Sequence, residues 1–302
     1  MTKSPKDIGA SVRARLLRLA RERGEDFQLL LTRYANERLL YRLASSEYGS
    51  HFVLKGAALF TLWTGAPHRA TRDVDLLGFG DPNEDQIRSV FADVLAVEVN
   101  DDGVRFDAST LEVGPIREEQ EYGGVRVHLA ARVTSAKVRL QIDVGFGDVI
   151  TPEAVAVDFP TLLDFPAPKL RAYPRETVVA EKLEAMVKLG QANTRMKDFY
   201  DLAALSETFA FEGALLVRAI GATFARRRTP LPSGLPVALT SEFTEDPAKS
   251  TQWRAFLRKS GAPSRGELRE VVATIARFVE EPLTAAAAEA PFAKHWAPGG
   301  LW

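Results

Sequence analysis

The chain has 302 residues, and its 46% hydrophobic and 26% charged residues are typical of a globular protein, not of a disordered, collagen-like or coiled-coil one. A formal net charge of −1, from 39 Lys and Arg against 40 Asp and Glu, excludes a basic protein that coats nucleic acid indiscriminately, but not a local basic groove. With no cysteine and four histidines, disulfides, zinc–thiolate sites and thiol nucleophiles are excluded, and a histidine-built metal centre is a poor candidate.

Length and hydropathy also bear on domain organisation and location. Apolar runs stay below the roughly 18 residues that a membrane span requires, and residues 1–10 lack the apolar core of a signal peptide. We therefore predict a cytoplasmic protein without a membrane partner. A chain of 302 residues favours two domains, which we place at 1–165, an α/β lobe with N-terminal helices, and at 166–302, a helical lobe.

Helix and strand patterns alternate in the first half of the chain. Apolar residues at three- and four-residue spacing predict helix over 12–34, where the arginines between residues 13 and 23 form either a solvated face or a basic wall for an anionic partner. Strands are predicted at 51–56, 74–79, 125–129 and 138–144, and helices at 57–63 and 84–95. The last two strands alternate strictly between apolar and polar residues, as strands with one buried face do.

The second half is mostly helical. Five prolines between Pro152 and Pro174 mark a loop-rich stretch, and we predict helices after it at about 176–189, 196–209, 213–224, 251–259 and 265–281. The expected fold is therefore α+β, with a sheet in the N-terminal lobe and a helical C-terminal lobe.

The densest chemical signal is the run TRDVDL at residues 71–76. Residues two apart on a strand point the same way, so Asp73 and Asp75 share one face while Val74 and Leu76 enter the core. Adjacent carboxylates repel each other unless a cation lies between them. Oxygen ligands suit Mg²⁺, which water and substrate phosphates complete. These two aspartates are candidate magnesium ligands.

Asp143 is a candidate third carboxylate. It lies on the polar face of the 138–144 strand, together with Arg139 and Gln141. If this strand pairs beside the Asp73–Asp75 strand, three carboxylates meet on one sheet face. Such a trio can hold two divalent ions, and its third member can take the proton from an attacking hydroxyl. The alternative is a solvated strand residue near a turn.

Two further charged residues point inward on predicted helices. Lys182 falls within the apolar arc of the 176–189 helix, where a lysine is costly unless it meets an anion such as a triphosphate. Alternatively, it reaches past the rim of the core to solvent. Asp198 points inward on the 196–209 helix, with Asp201 at the edge of that face, or it stabilises the first helical turn through the helix dipole.

Four segments together resemble the motifs of a known family. They are FVLKGAAL at 52–59, RATRDVDL at 69–76, AEKL at 180–183 and RMKDFYDL at 195–202. In this order they resemble the AbiEii/MenT nucleotidyltransferase toxins of the DNA polymerase β-like superfamily, over about residues 27–258. The resemblance implies that the N-terminal lobe is a polymerase β-like nucleotidyltransferase lobe with a mixed sheet.

The resemblance also implies roles for individual residues. It implies catalytic roles for Asp73, Asp75, Lys182 and Asp198, and nucleotide binding by Lys55, Gly56, Ala57, Thr71, Arg72, Lys182 and Asp201. Asp73 and Asp75 would hold Mg²⁺, with Asp143 as the third candidate ligand, and Lys182 would contact the triphosphate. Ala57 departs from the Gly or Ser that is common at its position, and alanine cannot donate a side-chain hydrogen bond.

The implied activity is Mg²⁺-dependent transfer of a nucleotide from an NTP to the 3′ end of tRNA, which blocks aminoacylation. The protein would be the toxin of a toxin–antitoxin pair, and its AbiEi-like antitoxin would be a separate chain. Two alternatives stay open. The acceptor is a small molecule or a protein hydroxyl, or the fold is a catalytically silent NTP-binding module. Neither a P-loop nor a G-x-G-x-x-G fingerprint occurs in the sequence.

Overall fold

The computed structural model describes residues 7–80, 82–116 and 123–302, which fall into two compact units. The first unit extends to Gly147 and also includes Val155–Ala172. The second unit consists of Asp148–Ala154 and Tyr173–Trp302. The boundary between residues 165 and 166 stays a prediction about the domain organisation.

The first unit contains helices and strands. Its described helices are α1 (Ile8–Arg23), α2 (Phe27–Ser45), α3 (Ala58–Thr64) and α4 (Glu84–Ala96). Its described strands are β1 (Phe52–Lys55), β2 (Asp73–Gly78), β3 (Val104–Pro115), β4 (Gly124–Val133), β5 (Ala136–Phe146), β6 (Val155–Asp158) and β7 (Lys169–Ala172). The four strands predicted from the sequence correspond to β1, β2, β4 and β5.

The described strands of the first unit form one seven-stranded mixed sheet in the order β3-β4-β5-β2-β1-β7-β6. β2 is antiparallel to β1 and parallel to β5, and β1 is parallel to β7. The pairs β3–β4, β4–β5 and β6–β7 are antiparallel. The predicted α+β fold with a mixed sheet is confirmed, and β2, which carries Asp73 and Asp75, is its middle strand.

One face of the central strands is apolar. Val74 and Leu76 of β2 are buried, as are Leu140, Ile142 and Val144 of β5. Helices α1, α2 and α4 contact the sheet, α2 through β5. Because side chains alternate between the faces of a strand, the polar residues of β2 and β5 lie on the opposite face. Burial of the apolar residues therefore sets where the polar ones point.

The helical pattern predicted over 12–34 is confirmed, but it belongs to two helices. Gly24 ends α1 in the left-handed region, with φ 64°, and its N–H donates to carbonyls of the last turn. Asp26 then caps α2 by accepting a hydrogen bond of 2.8 Å from the N–H of Leu29. Apolar periodicity continues across this break, so periodicity alone did not reveal it.

Three strands of the sheet were not predicted. β3 is an edge strand rich in polar residues, and its pairing with β4 shifts register between Asp107 and Glu112. An edge strand with a bulge lacks the regular alternation on which strand prediction rests. The other two, β6 and β7, have four residues each and fall in or beside the proline-rich stretch that was predicted as loop.

The second unit is mostly helical. Its described helices are α5 (Arg175–Leu189), α6 (Met196–Thr208), α7 (Gly213–Arg226), α8 (Ser241–Glu245), α9 (Pro247–Ser260) and α10 (Leu268–Ala287), and β8 (Phe211–Glu212) pairs with β9 (His295–Trp296). The five predicted helices are confirmed, whereas α8 and the β8–β9 pair were not predicted. α9 begins earlier than predicted because Asp246 caps it and Pro247 occupies its first turn.

Helix length and hydropathy also bear on membrane crossing. Across residues 7–80, 82–116 and 123–302, every helix is too short or too polar to cross a bilayer.

Candidate active site

Four charged side chains form a row across the sheet at one register position. Lys55 of β1 is paired with Asp75 of β2, and Asp75 is paired with Asp143 of β5. Arg126 of β4 is the partner of Asp143 on its other side. Side chains in register on neighbouring strands point to the same face. This charge row (Lys55, Asp75, Asp143, Arg126) therefore places two adjacent carboxylates between two cations.

Asp143 is held by two neighbours. Arg126 donates to both of its carboxylate oxygens, from Nε at 2.8 Å and from Nη2 at 2.7 Å. Gln141 Nε2 lies 3.2 Å from each of the same oxygens. This bidentate ion pair compensates the repulsion between Asp143 and Asp75. A metal-ligand role for Asp143, which stays a prediction, requires Arg126 to share or release this carboxylate.

Sequence reasoning did not identify Arg126 as a site residue. The available signal was the alternation in β4, which puts Arg126 on the polar face of its strand. The carboxylate that Arg126 contacts depends on the register between β4 and β5. That register cannot be predicted from the local sequence.

Asp73 precedes Asp75 by two residues on the same face of β2 and is paired with Gln141 of β5. Asp73 is exposed, whereas Asp75 is half-buried. Arg72, just before the strand, is anchored through its carbonyl, which accepts a hydrogen bond of 2.9 Å from Asn36 Nδ2 of α2. The entry into β2 is therefore fixed by a contact with α2.

Gly56 lies directly against Asp75. Its φ is 72°, in the left-handed region that favours glycine, and a Cβ at this position would lie 2.0 Å from Asp75 Oδ2. Gly56 and Ala57 connect β1 to α3, and Lys55 ends β1. Glycine is therefore required here both by the backbone conformation and by the close approach of the carboxylate.

The donor atoms of this face fit a hard divalent cation. Asp73 and Asp75 offer carboxylate oxygens on one side of one strand, and Mg²⁺ is commonly held by one or two carboxylates with water and substrate phosphates. Within the part of the chain that the structure describes, no group of three His, Asp or Glu side chains is arranged to hold a metal ion. The arrangement therefore fits a two-carboxylate site that substrate oxygens complete.

The predicted charged residues of the second unit bind one another. Lys182 Nζ of α5 lies 2.7 Å from Asp198 Oδ1 and 2.9 Å from Asp201 Oδ2, both of α6. Arg195 Nε donates to Asp198 Oδ2 at 2.7 Å. Both aspartate side chains are 1% exposed and that of Lys182 is 14% exposed. The inward lysine therefore has anionic partners within its own unit.

The electrostatics of this lysine cluster (Lys182, Arg195, Asp198, Asp201) favour ionised aspartates. Burial by itself raises the pKa of Asp198, but Lys182 and Arg195 outweigh burial and hold that pKa below its ordinary value. Two cations and two carboxylates thus compensate one another inside a largely buried network.

A pocket opens in the first unit beside the start of β2. Its volume is about 670 Å³ when the space open to solvent is included, and its walls are mainly apolar. The lining residues come from the end of α1, from α2, from α3 and the loop after it, from the start of β2, and from the segment at 159–162. Thr71 and Asp73 are among them, so the pocket adjoins a candidate metal ligand.

Glu37 is a buried acid in the wall of this pocket. It is 2% exposed, one oxygen accepts a hydrogen bond of 2.7 Å from the N–H of Leu162, and the other lies 2.7 Å from Arg38 Nη2. Burial raises the pKa of Glu37 from its ordinary 4.5 to about 7, although Arg38 and the Leu162 N–H both favour the charged form.

We expect Glu37 to make stability pH-dependent. Its pKa in the folded protein is above that in the unfolded chain, so its stabilising contribution is complete below pH 4.5 and is lost as the pH rises through about 7. The loss amounts to roughly 3 kcal/mol. Glu37→Gln should remove it, so denaturant unfolding between pH 4.5 and 8 should show the variant gaining stability relative to the parent as the pH rises.

The exposed Glu98 provides a control for this experiment. Glu98→Gln should keep the pH dependence of the parent protein. A constant difference in unfolding free energy between Glu37→Gln and the parent, at every pH, would contradict the assignment.

Comparison with known proteins identifies the family of the chain. Residues 38–290 match the family described as nucleotidyl transferase AbiEii toxin, type IV TA system. No curated protein matches the chain. Among solved structures, JHP933 from Helicobacter pylori is 15% identical, with 87% of this chain and 92% of that chain covered and a TM-score of 0.49. A second H. pylori protein, named as a nucleotidyltransferase, is 15% identical, with 87% and 95% covered and a TM-score of 0.49. Because the family match covers more than half of the sequence, the chain belongs to the AbiEii family of nucleotidyltransferase toxins of type IV toxin–antitoxin systems.

Proposed function

We propose that this nucleotidyltransferase uses Mg²⁺ to transfer a nucleotide from an NTP to the 3′ end of tRNA, and thereby blocks aminoacylation. Its cognate antitoxin would be an AbiEi-like protein encoded as a separate chain. The observation that carries the proposal is the geometry of β2, where Asp73 and Asp75 share one face and the Gly56 backbone lies against Asp75. Hard oxygen ligands beside a glycine turn suit a metal-bound triphosphate.

The proposed reaction is an in-line displacement at phosphorus. The oxygen of the 3′-hydroxyl forms a bond to the α-phosphorus, the bond from that phosphorus to the bridging oxygen of the β-phosphate breaks, and pyrophosphate leaves with the electron pair. Asp143 is the proposed acceptor of the hydroxyl proton. Asp73 and Asp75 would hold Mg²⁺, which when bound supplies positive charge that offsets the charge of the phosphates.

The remaining residues are assigned by the family resemblance. Lys55, Gly56, Ala57, Thr71 and Arg72 are proposed to position the nucleotide. Lys182 is proposed to offset charge on the leaving pyrophosphate, with Asp198 and Asp201 holding its ammonium group through the contacts of the lysine cluster. Asp198 and Asp201 would then act mainly as positioning residues.

Gly56→Ala tests whether the glycine turn matters to the site. We expect transfer to fall by about 100-fold, because the added methyl displaces Asp75, and we expect about 1–3 kcal/mol of destabilisation from the positive φ. Gly24→Ala is a matched control, since Gly24 has a φ of 64° but a Cβ added there would meet nothing within 4 Å. Equal activities of the two variants would argue against a role for Gly56 beyond backbone conformation.

The activity itself is tested by incubating the protein with Mg²⁺, each α-labelled NTP in turn, and total RNA. Label appearing at the 3′ end of tRNA, together with growth arrest on induction and a modified tRNA pool, is the expected result. Label on a small molecule or on protein, with tRNA unchanged, would favour the alternative acceptors. Calorimetric binding of an NTP without turnover on any acceptor would favour a silent binding module.

A further inference from the structure

The pocket beside β2 has the properties of a heterocycle-binding site. We propose that it holds a nucleobase bearing an exocyclic amino group, which belongs either to the incoming nucleotide or to the terminal nucleotide of the acceptor. This inference rests on the proposed function, because nucleotides are the substrates that the neighbouring Asp73 would serve. It adds to that function a specificity pocket built by α2, α3 and the segment at 159–162.

The walls of the pocket favour a flat apolar body. The apolar lining residues are Leu40, Ala58, Pro67, Val74, Phe159, Pro160 and Leu162. They come from α2, from α3 and the loop after it, from β2 and from the segment at 159–162. Nucleobases have apolar faces and a polar edge, which matches a largely apolar pocket with a few polar groups.

Among the polar residues that line the pocket, which include Arg23 and Arg33, Asn36 offers an acceptor without a hydrogen-bond partner. Asn36 is 8% exposed, its Nδ2 donates to the carbonyl of Arg72, and its Oδ1 is buried without a hydrogen-bond partner in the structure. Because the Arg72 carbonyl can only accept, the Asn36 amide is fixed with its oxygen as the unused atom. Both oxygens of Glu37 have close partners, the Leu162 N–H and Arg38 Nη2. Asn36 Oδ1 is therefore the oxygen that calls for an N–H donor.

This combination discriminates between ligand classes. A hydrocarbon chain would leave Asn36 Oδ1 unpaired, and burying an unpaired polar atom is unfavourable. A phosphate has no N–H to give to Asn36 Oδ1, and although Arg23 and Arg33 also line the pocket, both already pair with Glu25. An amino-bearing nucleobase satisfies the acceptor and covers the apolar walls.

The pocket is also coupled to the candidate metal site. Thr71 and Asp73 line it, and Asn36 holds the carbonyl of the residue between them. A base in the pocket would therefore lie beside the strand end that carries Asp73, at a position from which it could help to place either the α-phosphate or the acceptor hydroxyl.

The test compares nucleotides that differ only in the amino group. In the first arm the tRNA is kept constant, and kcat/KM is measured for ATP and purine riboside triphosphate, for CTP and its 4-deamino analogue, and for GTP and ITP. In the second arm the NTP is kept constant, and tRNAs ending in adenosine or in purine riboside are compared. In one of the two arms, we expect kcat/KM to be about 10-fold higher for the substrate with the amino group than for its analogue.

Two variants locate this preference. Asn36→Ala should reduce the ratio of kcat/KM between the amino-bearing substrate and its analogue to near unity. If the substitution instead lowered activity in general, by disturbing Arg72, kcat/KM would fall equally for both substrates. Thr61→Phe fills the pocket from α3 and leaves the Asn36–Arg72 contact in place, so it should also abolish the preference and raise the KM of the substrate concerned. If the variants abolish the amino preference in the first arm, the pocket binds the incoming nucleotide. If they abolish it in the second arm, the pocket binds the terminal nucleotide of the acceptor.

Two results would overturn the inference. One is the absence of an amino preference in both arms, and the other is a preference that survives both variants. If the protein transfers no nucleotide at all, the proposed function fails. Calorimetry with adenosine, cytidine and guanosine then tests whether the pocket binds a nucleobase. Nucleoside binding that Thr61→Phe abolishes would still support the pocket, and undetectable binding of all three would refute it.

Discussion

Replacing Asp73 or Asp75 by asparagine is expected to reduce nucleotide transfer by about 1,000-fold or more, equivalent to about 4 kcal/mol of transition-state stabilisation. The amide keeps the size of the side chain but removes the charge and one of the oxygens that a divalent cation would use. The measurement is label transfer from an NTP to tRNA at saturating Mg²⁺, for each variant and for the parent protein.

We expect the stability of these variants to change little. Thermal unfolding therefore distinguishes the loss of a metal ligand from the loss of the folded structure. Asp73 is exposed, and Asp75 lies between a lysine and a second carboxylate in the charge row, so neutralising either one removes both attraction and repulsion. Asp158→Asn is the matched control, because Asp158 is an exposed aspartate on β6 of the same sheet. Transfer that persists in both the Asp73 and the Asp75 variant would end the metal-site assignment.

Lys182→Met is expected to destabilise the second unit by about 3–5 kcal/mol. Methionine fills the space of the aliphatic stem, but Asp198 and Asp201, each 1% exposed, would lose the ammonium group that lies within 2.9 Å of both. Arg195 would remain beside Asp198, whereas Asp201 would lose the ammonium group that it shares with Asp198. Denaturant unfolding of the whole chain measures the effect.

A double variant separates this structural role from the proposed contact with the triphosphate. Lys182→Met combined with Asp201→Asn removes one cation and one anion together, which restores the charge balance of the lysine cluster. Stability should therefore recover by more than half, whereas transfer should stay low if Lys182 also serves the triphosphate. Recovery of both stability and transfer would show that Lys182 acts only within the lysine cluster.

Much of the framework could be predicted from local patterns. Strict alternation identified β4 and β5, helical periodicity identified α5, α6 and α7, and the two-residue spacing placed Asp73 and Asp75 on one face. These properties depend on residues within one or two turns of each other, or on the period of a single strand. β3, β6 and β7 were not predicted because short and edge strands depend on their neighbours more than on their own pattern.

The partners of the site residues were decided by pairing over long distances in sequence. The sequence by itself placed Asp143 on the polar face of its strand, and Lys182 and Asp198 on the inward faces of their helices. Only the tertiary structure decided that Arg126 holds Asp143, that Asp198 and Asp201 hold Lys182, and that Asn36 and Glu37 face one pocket with Asp73. The physical reason is that strand register and helix packing are fixed by the burial of apolar faces of the whole unit, and that burial brings together charges which no local pattern connects.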